Sequence, residues 1–265
     1  MSNIRYSVLL VLFALAAFLS SCEPVAEPVK VALSKGSGSA HYNNYSQWLK
    51  KINPEIEYID LYNLPADSAL IIMNECSGLV LTGGPDVHPG EYNRAEDTAR
   101  CSIDVYRDTL EFQLIDIAKA KKLPILGICR GEQILNVAYG KNLVVDIPED
   151  WVDSFVTHRC EDSDNCFHDI YVAPTSQLAK ICGQNLGSVN TNHHQAVKDL
   201  ADVFVACAWS QDGIIEAFEW KNPEGKPFLM AVQWHPERLD FNSPFSAPIG
   251  KAFIDAVKSR IIKKN

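Results

Sequence analysis

Short apolar blocks and longer blocks of helical spacing alternate along the first half of this chain. Residues 31–34, 78–82 and 123–128 form runs of four to six residues that are mostly apolar, and 56–61, with Glu57 and Asp60 among apolar residues, also reads as a strand. Runs this short and this apolar suit strands buried on both faces of a parallel sheet. Between them, 41–52, 66–76 and 104–121 read as helices, and in the last Leu110, Leu114, Ile117 and Ala118 share one face. After the fourth run, Ile134, Leu135, Val137 and Ala138 recur at helical spacing, and Gly140 supplies a stop. Beyond Gly140 the texture changes. The spacing predicts strands over 169–173, 187–190, 203–209, 214–220 and 228–233, separated by turns such as Gln211-Asp212-Gly213 and Asn222-Pro223-Glu224-Gly225. A last helix is expected over 247–262. The pattern implies an α/β fold: a parallel central sheet flanked by helices, with an added antiparallel β region.

The N-terminus stands apart from this pattern. Arg5 precedes an apolar run over 8–19, which is too short to span a bilayer comfortably. Leu19-Ser20-Ser21-Cys22 resembles the lipobox of bacterial lipoproteins, whose cysteine is lipidated and becomes the mature N-terminus. The expectation is a lipoprotein signal peptide over 1–21, lipidation at Cys22, a Pro- and Glu-rich tether over 22–29, and one domain over 30–265. A simple secretory signal or an uncleaved anchor helix is the alternative. A lipid anchor on Cys22 would hold the domain at the bacterial cell envelope, facing the periplasm or the exterior. About 240 residues remain after the leader, within the range of one α/β domain. The formal net charge of -9 and the lack of a basic patch argue against nucleic acid as a partner. The basic stretch 258–264 reads as the exposed face and tail of the last helix. Composition leaves the oligomeric state open.

Eight cysteines sharpen the picture. Apart from Cys22 and Cys129 there are six, which allow 15 pairings in an oxidising compartment. Cys160 and Cys166 flank the polar loop 161–165 and are the best candidate pair. Cys76 and Cys207 sit in apolar contexts and read as buried thiols. No Cys-x-x-Cys or His-rich spacing suggests a metal site, and adjacent His193 and His194 are poorly placed to hold one ion together.

Cys129 differs from the other cysteines. Gly127-Ile128-Cys129-Arg130-Gly131-Glu132-Gln133 places it between a strand and a helix, with glycines removing bulk on either side. That is the logic of a nucleophile elbow, and a helix start favours a thiolate. Gln233-Trp234-His235-Pro236-Glu237 lies at the carboxyl end of another predicted strand, where Glu237 can orient the His235 imidazole as a base. Gly83-Gly84-Pro85-Asp86 follows the 78–82 strand. Its Gly84 (or Gly83) N–H, with that of Arg130, could form an oxyanion hole. Taken alone, this loop is also ordinary turn chemistry.

These three segments, together with Val189-Asn190-Thr191-Asn192-His193-His194-Gln195, resemble the class I glutamine amidotransferase superfamily. Within it they are most similar to the free-standing gamma-glutamyl hydrolases of the gamma-glutamyl-gamma-aminobutyrate hydrolase type. The resemblance runs from about Val31 to the C-terminus. It implies a flavodoxin-like catalytic domain that cleaves a small gamma-glutamyl substrate through a thioester on Cys129. His235 and Glu237 would complete a Cys-His-Glu triad, and Gln133 and His194 would contact the glutamyl moiety. That chemistry needs no metal or nucleotide cofactor. Glu132 and Lys141-Asn142 depart from the family pattern and are expected near the pocket side. Two other readings stand beside this one: a glutaminase subunit feeding ammonia to a synthase, and a non-catalytic envelope binding lipoprotein of the same fold.

Overall fold

The computed structural model describes residues 28–162 and 165–262. The expected signal peptide, Cys22 and most of the tether lie outside the described residues. The first half is built from β1 (Lys30–Leu33), α1 (Ala40–Ile52), β2 (Glu57–Asp60), α2 (Ala66–Glu75), β3 (Leu79–Leu81), α3 (Val105–Lys121), β4 (Ile125–Ile128) and α4 (Arg130–Val137). Helix starts follow from local chemistry. Ser39 caps α1 and Asp104 caps α3, each side chain accepting from an N–H three residues on. The second half adds β5 (Leu143–Val144), α5 (Ile147–Asp150), β6 (Phe167–Val172), α6 (Gln177–Cys182), β7 (Leu186–Asn190), β8 (Ala196–Val197), β9 (Phe204–Ser210), β10 (Ile215–Trp220), β11 (Leu229–Val232) and α7 (Ala247–Ile262).

The eleven strands among the described residues join one sheet, in the order β2-β1-β3-β4-β11-β10-β9-β6-β7, with β5 and β8 paired to its side. The strands β2, β1, β3, β4 and β11 are parallel; from β10 outward every pairing is antiparallel. This is the flavodoxin-like sheet with an antiparallel extension that the sequence pattern predicts. β11, the last strand among the described residues, fills the place beside β4, so its Val232 lies opposite Ile128.

Side-chain alternation divides the core in two. Leu33, Val80, Leu126 and Val232 pack on one face with Trp48 of α1 and Phe253 of α7. Ala32, Leu81, Ile125 and Ala231 pack on the other with Met73, Leu114 and Ile134 of α2, α3 and α4. Strands sandwiched this way need apolar residues on both faces, which is why they read as unbroken runs. The carboxyl ends of β3, β4 and β11 emerge side by side, and there the chain places Gly83-Gly84, Cys129 and His235.

Cys160 and Cys166 form a disulfide with a Cα–Cα separation of 5.7 Å, the expected pair. Cys76 and Cys207 are free and buried, as expected. The helix α6 and the two-residue strands β5 and β8 are absent from the sequence pattern, because pieces this short carry too few residues to show a period.

Candidate active site

Cys129 sits between β4 and α4 with φ 53° and ψ −110°, a conformation a non-glycine residue rarely adopts. Its N–H donates to the Val232 carbonyl (2.8 Å), which ties the turn to the neighbouring strand. The glycines around it are required by contact. A Cβ on Gly131 would lie 2.1 Å from the Leu81 carbonyl oxygen, and one on Gly127 2.8 Å from that of Gly131. The elbow expected from the sequence therefore exists because α4 starts in direct backbone contact with β3.

His235 is buried beside Cys129 and within hydrogen-bonding reach of its thiol. Its Nδ1 lies 2.8 Å from Glu237 Oε1. The 3-10 turn Pro236–Arg238 brings the carboxylate back under the ring. Asn190 fixes the His235 backbone from both sides, accepting from its N–H (2.8 Å) and donating to its carbonyl (3.0 Å). Burial disfavours the imidazolium, but the charges of Glu237 and Cys129 and hydrogen bonds to both outweigh it, raising the His235 pKa to about 9.

Gly83 and Gly84 line the cleft with Cys129, and Arg130 follows Cys129 at the start of α4. The Gly83 N–H is taken by the Tyr45 hydroxyl (2.9 Å), whereas the Gly84 and Arg130 N–H groups have no protein acceptor among the described residues. This distinguishes Gly84 from Gly83 as the free donor of the loop. Neither glycine has room for a side chain: a Cβ on Gly83 would lie 2.8 Å from His235 Cε1, and one on Gly84 1.9 Å from Arg107 Nη1.

A fully buried ionic network holds these donors in place. Arg130 pairs through its two terminal nitrogens with Glu111 and Asp108 of α3. Arg107 Nε donates to Glu111 Oε1 (2.9 Å), and its Nη2 donates to both the carbonyl and the hydroxyl of Thr82 (2.9 Å each). Arg107 Nη1 reaches the Tyr42 hydroxyl (3.1 Å). Burial raises the Glu111 pKa, but Arg130 and Arg107 more than offset it and keep the carboxyl below its usual value. One network thus joins α1, α3, the end of β3 and the start of α4.

The cleft over Cys129 has two lobes, with cavity volumes of about 220 and 200 Å³, sharing Gly84, Cys129 and Asn192. The first also touches Tyr42, Tyr45, His235 and Arg238. The second is lined by Asp86, Arg159, Gln133, His193, His194 and Gln195. A larger recess of about 690 Å³, around Lys180 and Trp220, lies away from the three strand ends.

The sequence-predicted substrate contacts both line the second lobe, with different freedom. Gln133 Nε2 donates to the Gln195 carbonyl and to Gln233 Oε1 (3.0 Å each), so its own Oε1 is the atom left for a ligand. His194 lies between two carboxylates, Nε2 at 2.9 Å from Asp86 and Nδ1 at 2.8 Å from Asp146. Those contacts occupy both ring nitrogens and, with Asp86 contributing most, raise its pKa. The expected pocket-side position of Glu132 and Lys141 is corrected. Glu132 is fully buried beneath the elbow, its carboxyl pKa pushed well above the usual range by burial first and then by Glu216 and Cys129. Lys141 pairs with Asp202 at the surface (3.2 Å) and touches neither lobe.

Sequence reasoning did not single out Tyr45, Asn192, Arg159 or the Arg107–Glu111 network. Tyr45 sits at helical spacing with Leu49 and reads as core. Arg107 and Glu111 read as an exposed i,i+4 pair until α3 is seen to bury that face.

Known proteins share the family and the fold of this chain. A sequence profile described as Peptidase C26 matches residues 61–237, a span that includes Cys129 and closes on Glu237. The glutamine amidotransferase-like protein YvdE of Lactococcus lactis is 33% identical over 213 residues, covering 74% of this chain and 87% of that protein. A gamma-glutamyl-gamma-aminobutyrate hydrolase of Escherichia coli O157:H7 is 31% identical over 203 residues, covering 73% and 76%. The glutaminase domain of a CTP synthase (CTPS) of Trypanosoma brucei, solved with bound acivicin, shares the fold with a TM-score of 0.59 at 20% identity, covering 87% of this chain and 94% of that one.

Proposed function

The chain belongs to the peptidase C26 family of glutamine amidotransferase-like hydrolases, and on that footing we propose that it hydrolyses gamma-glutamyl amide bonds through a glutamyl thioester on Cys129. The observation that carries this reading is the contact chain Cys129–His235–Glu237 at an elbow flanked by Gly84 and Arg130, whose backbone N–H groups have no acceptor among the described residues. The Glu237 and Cys129 side chains hold the His235 pKa above its usual value, so His235 can keep the proton that the nucleophile gives up.

The reaction runs as follows. The Cys129 thiolate attacks the gamma-carbonyl carbon, and the oxygen takes the charge against the Gly84 and Arg130 N–H groups. The C–N bond breaks as His235 hands its proton to the leaving amine, and the glutamyl group stays on sulfur as a thioester. Neutral His235 then takes a proton from water, the hydroxide attacks the thioester carbon, and thiolate and imidazolium are restored. The ionic network under Arg130 fixes the donors beforehand, so the protein reorganises little as charge develops. In the second lobe, Gln133 Oε1 accepts from the glutamyl ammonium and Arg159 meets its carboxylate. His194 shapes that lobe by holding Asp86 and Asp146. The leaving amine occupies the first lobe. Metal and nucleotide cofactors take no part in these steps.

Amine release from gamma-glutamyl-gamma-aminobutyrate, folate polyglutamate, glutathione, glutamine and a gamma-D-glutamyl muropeptide tests the reading, with Cys129→Ala alongside. Turnover of at least one compound, abolished in the variant, is expected. Turnover that survives in Cys129→Ala would refute it.

We further propose that lipid on Cys22 holds the enzyme at the cell envelope. The lipobox-like Leu19-Ser20-Ser21-Cys22 supports this. No helix among the described residues is long and apolar enough to cross a membrane. Labelled palmitate should enter the wild-type chain and not Cys22→Ala; equal labelling of both would remove the proposal.

A further inference from the structure

Three histidines and a glutamate converge in the antiparallel extension, with His193 also lining the second lobe of the cleft. His158 comes from the loop before β6, His168 from β6, His193 from the loop after β7, and Glu216 from β10. Their side chains are 3%, 5%, 2% and 0% exposed. One potential ligand atom from each lies within 4.8 Å of all the others.

The outer hydrogen bonds decide what this cluster offers. His158 Nε2 contacts the Asp212 carboxylate (3.1 Å), His168 Nδ1 the Asp169 carbonyl (3.2 Å), and His193 Nδ1 the Gln195 carbonyl (2.9 Å). Each outer partner is an acceptor, so each outer nitrogen carries the proton. The opposite nitrogens, His158 Nδ1, His168 Nε2 and His193 Nε2, then point lone pairs inward. These three nitrogens and both Glu216 oxygens are buried without a hydrogen-bond partner. Four lone-pair donors of this kind, closed off from water, are costly unless a cation lies among them.

The spacing fits one ion. Glu216 Oε1 lies 3.4, 3.2 and 3.6 Å from the three inner nitrogens, long for hydrogen bonds. Tetrahedral zinc with bonds of about 2.0–2.1 Å has ligand-to-ligand edges of about 3.3–3.4 Å. Outer carboxylate and carbonyl contacts to ligating histidines are also the usual second shell of zinc.

We propose that His158, His168, His193 and Glu216 form a structural Zn²⁺ site. All four positions come from protein, so the site is closed and takes no part in the thiol chemistry. The proposal departs from the expectation of no metal site: adjacent His193 and His194 do not act together, His193 facing the cluster and His194 lying between Asp86 and Asp146. The ion would join the 158 loop, β6, the 193 loop and β10, the segments that carry Arg159 and Asn192 into the cleft.

The test uses the purified full-length chain, stripped with a chelator and titrated with Zn²⁺ and separately with Co²⁺. One equivalent of Zn²⁺ should bind tightly and raise Tm. Co²⁺ should give the intense visible absorption of a tetrahedral site, and Zn²⁺ should displace it. Asp212→Asn, which alters the outer contact to His158 Nε2 along with the Ser210 hydroxyl bond and leaves the four ligands in place, should weaken Zn²⁺ by about 10–100-fold, and Glu216→Gln by more. If the Glu216 variant fails to fold, the wild-type cobalt spectrum still decides. A folded chain that takes up no stoichiometric Zn²⁺, a weak octahedral cobalt spectrum, or unchanged affinity in folded Glu216→Gln overturns the proposal.

Discussion

Replacing Glu237 with glutamine keeps the side-chain volume and removes one charge from the site. In the wild type the His235 pKa stands at about 9: burial opposes the charged ring, and Glu237 is the foremost group that reverses the effect. The Nδ1–Oε1 contact of 2.8 Å is a charge-assisted hydrogen bond, worth about 1.5–3 kcal/mol. At about 1.4 kcal/mol per pH unit, its loss moves the ionisation of His235 down by about one to two pH units. Leaving-group protonation needs the imidazolium, so kcat/KM in the wild type should fall on the alkaline side near pH 9. In Glu237→Gln the same limb should lie one to two pH units lower, with the acid limb less affected. The sign for stability agrees. A raised folded-state pKa stabilises fully below the unfolded value of about 6.5, and that contribution is lost as pH rises through 9. The assay is amine release from the best substrate between pH 5 and 10, with Cys129 alkylation rates as a second readout. A variant whose alkaline limb coincides with the wild type would refute the assignment of Glu237 as the group that holds the proton on His235.

Other outcomes follow from the same geometry. Glu111→Gln leaves Arg107 and Arg130 short of a buried partner and should cost about 3–5 kcal/mol in denaturant unfolding; a loss under 1 kcal/mol would contradict the network's role. Gly131→Ala sets a methyl 2.1 Å from the Leu81 carbonyl oxygen, so soluble yield or Tm should fall well below wild type. Mild iodoacetamide on the native chain should label Cys129 before the other described free cysteines. Burial holds Cys76 and Cys182 up at about 12, Cys101 at about 11 and Cys207 well above its usual value. Peptide mapping that finds one of those four labelled first would count against Cys129 as the activated thiol.

The parallel half of the sheet was legible because β1, β3, β4 and β11 are buried on both faces and α1 and α3 begin at clear caps. The elbow was legible because Gly127 and Gly131 are needed by contact, and such needs leave a local mark. The glycine loop was legible as a turn, but the choice between Gly84 and Gly83 rested on the Tyr45 hydroxyl, a residue 38 positions away from Gly83. Arg107, Asp108 and Glu111 gave no signal, since a charged face on a helix reads as solvated until its packing is known. The same holds for His158, His168, His193 and Glu216. They share no spacing, and only the antiparallel pairing of β6, β7, β9 and β10 brings them to one point.

The most direct test of the central claim is to catch the acyl group on sulfur. The chain is mixed with a gamma-glutamyl substrate, quenched in acid within the first turnovers, digested and read by mass spectrometry. The account predicts one glutamyl adduct on the peptide containing Cys129, labile to hydroxylamine and absent from Cys129→Ala. Substrate turnover without any adduct, and unimpaired in Cys129→Ala, would contradict it.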